Sequence, residues 1–165
     1  MSIDLLPHST CKRIIERIGR SIINLHQGRI LGQREKDGSP MHPLKPKTIA
    51  KKIAKGAIMP EKRMICTEDF WQNAFEMNVQ HDTLTIGVSK KLHKEGKVSY
   101  RYIAWAQLNS KYGKKLLRHP ANPGADFFGL NADEMEEYRE LFMEEAIMEI
   151  KKNFYEYLTK ALKIK

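Results

Sequence analysis

The side chains able to do chemistry are scattered along this chain rather than grouped. The six histidines are His8, His26, His42, His81, His93 and His119, and no two lie within one turn of a helix. A zinc hydrolase needs two imidazole ligands and a base on one helix face, written HExxH, and the sequence has no such run. Cys11 and Cys66 stand far apart and belong to no CxxC pair, so neither a structural zinc site nor a disulfide framework is expected. They read as small, partly buried thiols. No GxSxG elbow, Walker loop or GxGxxG is present. Gly28-Arg29-Ile30-Leu31-Gly32 follows a helical segment rather than a strand, so it reads as a helix terminus and not as a phosphate cradle.

Two charged groups remain. Glu134, Glu136, Glu137, Glu140, Glu144 and Glu145 crowd one segment. General acid–base work needs carboxylates in a shaped, partly desolvated pocket, whereas these read as a solvated or subunit-facing surface. Lys47, Lys51 and Lys55 are spaced four apart and fall on one face of a short helix, a stripe able to meet phosphates. Aromatic residues are not interleaved with it, so stacking on single-stranded bases is not supported. The expectation is a protein without catalysis, cofactor or metal.

The elements that must carry these groups follow from periodicity. Cys11, Ile14, Ile18, Ile22 and Leu25 recur at steps of three and four, which predicts a helix over 9–30 capped by Ser9 or Thr10 and weakened by Gly28 and Gly32. Residues 33–46 hold Asp37-Gly38 and three prolines, a turn-rich connection. A short basic helix follows over 47–55, closed by Gly56. A second short helix is predicted over 67–74, with Thr67 as its cap. Phe75–Gln80 and Leu84–Ser89 alternate apolar and polar residues, which predicts a hairpin. Residues 98–105 begin as a strand and turn helical. Residues 109–126 read as a long basic loop, mobile until assembly orders it. The last helix runs from Asn131 or Asp133 to about Leu162, with Met143, Ile147, Ile150, Phe154, Leu158 and Ala161 as its apolar stripe.

These elements give one α+β domain over residues 1–165. A small antiparallel sheet packs against the N-terminal helix and the long C-terminal helix, with long loops between them. The chain's 165 residues and 41% hydrophobic content leave room for a core. No apolar run approaches the roughly 20 residues that span a bilayer, and the first ten residues lack the pattern of a signal peptide. No membrane partner is expected, and the chain reads as cytosolic when made. The net charge of +9 is unevenly placed. Residues 1–119 carry 23 Lys and Arg against 10 Asp and Glu, whereas residues 120–165 carry 6 against 10. A basic body with an acidic end suits nucleic-acid contact, and it suits equally a meeting of copies, basic face to acidic face.

Three blocks, in order, resemble the phage virion morphogenesis family, which includes the tail completion proteins of Mu-like and P2-like phages. The first is Asp37-Gly38-Ser39-Pro40-Met41-His42-Pro43-Leu44-Lys45-Pro46-Lys47-Thr48, a glycine turn, a proline segment and a Thr leading into a basic helix; Met41 stands where tryptophan is common. The second runs from Ile65-Cys66-Thr67-Glu68-Asp69-Phe70, with Glu68 in place of glycine, to Ile86-Gly87-Val88, which agrees. The third matches at Tyr102, Gln107, Phe127, Phe128, Gly129 and Leu130, while Ala106, Asn109 and Ala125-Asp126 replace the family's His, Gly and Arg-Pro. The resemblance covers about residues 10–150. It implies a structural protein that completes the tail or joins it to the head at the neck, as a ring of identical copies such as a hexamer. The implied partners are the chain itself and other neck or tail proteins. Its places are the host cytoplasm during assembly and then the virion. The candidate assembly interface is Lys111, Lys114, Lys115 and Arg118 of the loop, Phe127 and Phe128 after it, and Glu137, Glu140 and Glu144 of the last helix. The alternative is a basic nucleic-acid-binding module using Lys47, Lys51 and Lys55, with non-specific DNA contact.

Overall fold

The structure is a computed structural model, and it describes residues 5–64, 69–80, 83–91, 99–102, 104 and 127–162. The fold is α+β. In chain order the described elements are α1 (His8–Gly32), α2 (Pro46–Ala54), α3 (Asp69–Asn73), β1 (Phe75–Gln80), β2 (Thr83–Val88) and a final helix, α4 (Ala132–Leu162). β1 and β2 form a two-stranded antiparallel sheet. The expected cap Thr67 and the expected loop 109–126 lie outside the described residues. The chain divides into two compact units. One gathers Met1–Ser21, Met77–Thr85 and Asn131–Lys165; the other gathers Ile22–Glu76 and Ile86–Leu130.

α1 starts one residue earlier than expected, because the Pro7 carbonyl accepts from the Thr10 and Cys11 N–H groups at 2.9 and 3.0 Å. It also runs through Gly28. Its end is set by Gln33, whose φ of 54° is left-handed, while the Arg34 N–H returns to the Arg29 carbonyl at 2.9 Å. That is a Schellman closure with glutamine where glycine is usual. The Gln33 side chain offsets the cost by donating to the Ile30 carbonyl at 2.5 Å and accepting the Arg63 N–H at 2.5 Å.

In the first unit, the hairpin tip approaches α1 at Gly19. A Cβ there would overlap Met77 Sδ and lie 2.9 Å from Leu84 Cδ1, so the missing side chain permits the contact. α4 opens with a capping box: the Glu134 N–H donates to Asn131 Oδ1 and the Asn131 N–H donates to a Glu134 carboxylate oxygen, both at 2.8 Å. α4 then lies antiparallel to α1. Arg17 pairs with Glu145, Arg13 pairs with Glu149 at 2.8 Å, and Asn153 donates to the Leu5 carbonyl at 3.0 Å.

The second unit has an aromatic core. Ile30, Met41, Phe70, Ala74, Tyr100, Ala104 and Phe127 are buried together. Phe127 meets Phe70 and Phe75 edge-on, with ring centroids 6.3 and 6.4 Å apart, and Phe75 stacks parallel on Phe128. Buried His26 ties α1 to the segment before α4. The Gly129 N–H, which only donates, points at Nε2 at 2.9 Å, so Nε2 accepts and Nδ1–H donates to the Ile22 carbonyl at 2.6 Å. The Arg29 guanidinium donates to the carbonyls of Gly129, Phe127 and Lys36 at 2.5, 3.3 and 3.5 Å. Arg63 is also buried, and desolvation lowers its pKa; its Nε donates to the His42 carbonyl.

Candidate assembly surface

The hairpin and the short basic helix stand where alternation and punctuation placed them, and so does the charged face of α2. Pro46 occupies its first turn and Gly56, with a φ of 71°, follows its end. Lys47, Lys51 and Lys55 are exposed, and α2 buries no residue. The helix is held by another lysine: Lys52 donates to the Met59 carbonyl at 3.2 Å and to the Lys62 carbonyl, and Lys62 donates to the Leu31 carbonyl at 2.7 Å. Inward Lys52 leaves the 47-51-55 stripe facing water.

The expected interface is divided by the structure. Glu137, Glu140 and Glu144 are exposed on α4. Lys111, Lys114, Lys115 and Arg118 lie outside the described residues. Phe127 is a correction: it is wholly buried, so its ring fills a core instead of a surface. Phe128 is half-buried against Phe75 and His26. Together these rings anchor the chain just before α4. Glu145 is a second correction. It belongs to the acid-rich run yet is buried, because Arg17 reaches it.

The largest departure concerns the stripe of α4. The residues of α4 that are fully buried are Glu145 and Ala146. Met143 is 51% exposed, Ile147 44% and Phe154 44%, with Ile150 and Leu158 half-buried. α4 therefore presents apolar side chains to solvent and packs through Glu145, Ala146 and the partly buried Glu149. The signal that would have indicated this lay in α1, where Arg13 and Arg17, four residues apart, match Glu145 and Glu149 at the same spacing.

Beside these pairs lies a cleft of about 570 Å³ lined by Arg13, Arg17, Arg20, Lys152, Glu145 and Glu149, with Ile14 and Met148. Its lining holds no Ser, Cys or His. Both carboxylates are engaged by arginine, which suits them to holding helices together rather than moving protons. Among the described residues, no three His, Cys, Asp or Glu side chains gather as a metal site, and no helix is long and apolar enough to cross a membrane. Asp37 accepts from the Ser39 hydroxyl at 2.6 Å and the Ser39 N–H at 2.9 Å, which hold its carboxyl below the usual range; it is a turn residue.

No protein-family model, curated protein or solved structure matches the chain. What the described residues offer chemically is surface: an apolar line on α4, exposed acids beside it, and a lysine stripe on α2.

Proposed function

We propose that the chain is a non-enzymatic structural protein of a tailed phage or prophage. It completes the tail or joins tail to head at the neck, as a ring of identical copies. The observation that carries this reading is the exposed apolar line of α4, Met143, Ile147 and Phe154, flanked by Glu140 and Glu144. Large apolar side chains exposed together along one helix suit a surface that another protein covers. The three ordered blocks that resemble the virion morphogenesis family give that partner its class: copies of the chain and neighbouring neck or tail proteins. The protein acts in the host cytoplasm during assembly and then in the virion.

Electron microscopy of the purified protein, alone and mixed with tail tubes, tests the reading. The expected result is ring-shaped particles with a central opening, free or seated on tube ends. Absence of rings in both samples would overturn it.

The exposed stripe Lys47, Lys51 and Lys55 favours a second reading, non-specific DNA contact. Three phosphates neutralised would give a slope of about −2.7 in log K against log salt. Loss of that slope on replacing all three by glutamine would support DNA contact. A protein that forms no rings and binds duplex DNA tightly at physiological salt would put this reading first.

A further inference from the structure

The uncovered line on α4 has an internal symmetry that names its occupant. Met143, Ile147, Ile150, Phe154 and Leu158 step by four, three, four and four residues, the spacing of a helix seam. Reflected about the 150–151 peptide, 143 falls on 158 and 147 on 154. The line extends backwards through Glu140 and Glu136, both exposed. The charge along the helix is sharply graded. Residues 132–145 hold seven acids and one arginine, whereas residues 157–162 hold one lysine, Lys160, and no acid.

We propose that in the free protein this line is covered by the α4 of a second copy, running antiparallel about a two-fold axis near Ile150. Two features bear on that occupant. With one helix reversed, Met143 meets Leu158 and Ile147 meets Phe154, so the apolar positions still face one another. The charge gradient then decides the sense, being self-complementary only on reversal. Reversal sets the acidic first turns of each helix beside the lysine-bearing end of the other, while a parallel pair would set Glu136 on Glu136 and Glu140 on Glu140. The seam from 143 to 158 is about 22 Å long at 1.5 Å per residue, long enough for a helix pair. A two-fold contact uses the same patch on both copies and closes at two. The pair is therefore a free form distinct from the ring, and the inference rests on the reading above only for what replaces it.

Cross-linking in a Cys11→Ser, Cys66→Ser background tests the geometry. Ile150→Cys is expected to form a disulfide-linked dimer on mild oxidation. Met143→Cys alone stays unlinked, and Met143→Cys combined with Leu158→Cys links efficiently. A parallel pair would instead link Met143→Cys to itself, and that result would overturn the proposal. Ile147→Glu with Phe154→Glu is expected to weaken dimerisation at least about a hundredfold in sedimentation, since each copy loses two buried anchors. The helical circular dichroism is expected to stay unchanged, because both side chains are outside the protomer's core. A parent protein that sediments as a monomer, including one whose own 109–126 segment covers the line, would also overturn it. The two claims fail separately: rings without linked pairs remove the dimer alone, and linked pairs that never give rings remove the phage assembly reading alone.

Discussion

Replacing Phe127 by alanine separates a core ring from a surface ring. Phe127 has no exposed surface, and its ring meets Phe70 and Phe75 edge-on. Truncating a wholly buried phenylalanine costs about 3–5 kcal/mol, the lost transfer energy plus the cavity left behind. Its aromatic neighbours argue for the upper half of that range, because fixed rings close poorly over a void. Against a total stability of about 5–15 kcal/mol, the loss is a large fraction. For a chain of this size it lowers the melting temperature by about 6–20 °C. Trp71 packs against the same cluster, so tryptophan fluorescence during urea unfolding reports on this region. Phe128→Ala is the internal comparison. Half-buried, it loses less than Phe127→Ala, and its cost is expected to be about half. If Phe127→Ala unfolds at the parent's midpoint and fails only to assemble, then Phe127 is an interface residue and the packing described above is wrong.

Arg29→Met leaves the carbonyls of Phe127, Gly129 and Lys36 without their guanidinium donor, and a loss of about 2–4 kcal/mol in chemical denaturation is expected. Asn131→Ala removes the side-chain half of the capping box and is expected to cost about 1 kcal/mol, with amide exchange quickened in the first turn of α4 and not at its far end. Asp37 is exposed, so its effect is local. The Ser39 hydrogen bonds lower its pKa when folded, so their contribution is complete above the usual carboxylate range and is lost as the pH falls through the lowered value. Carbon-detected NMR titration is expected to place the Asp37 midpoint below that of an unstructured peptide, and Ser39→Ala to return it part of the way, because the N–H of residue 39 still donates.

What the sequence revealed was local. Alternation gave β1 and β2 nearly to the residue, since a half-buried hairpin has a period of two and little else competes for it. Pro46 and Gly56 bracketed α2 because one lacks an N–H and the other accepts a left-handed backbone. Local rules failed where tertiary contacts decided. Gly28 lies inside α1, which ends at Gly32 as expected, but the left-handed turn that closes it falls on Gln33 and is held by hydrogen bonds to Arg63, thirty residues away. Phe127 drew attention as part of a surface motif, yet its place in the core depends on Phe70 and Phe75, about fifty residues earlier. His26 had no sequence partner, because its acceptor nitrogen meets a backbone N–H at Gly129.

The failure on α4 is of another kind. Periodicity found the apolar line correctly, but it cannot distinguish a line that faces the chain's own core from one that faces a neighbour. Both bury the same side chains, one on folding and the other on association. Here the distinction was made by the opposite side of the helix. Arg13 and Arg17 engage Glu149 and Glu145, so these two carboxylates and Ala146 turn toward α1, while Met143, Ile147 and Phe154 stand exposed beside Glu140 and Glu144. Such an arrangement is costly for an isolated chain: ion pairs this exposed on the arginine side contribute little to stability, and water gains contact with Met143, Ile147 and Phe154. It becomes favourable once a second surface covers the line, because burial is then recovered across an interface while the salt pairs fix the angle at which α4 is offered. The exposure of Met143, Ile147 and Phe154 on this one helix is therefore a more specific argument for a covering partner than the charge imbalance of the whole chain, which any basic protein could share.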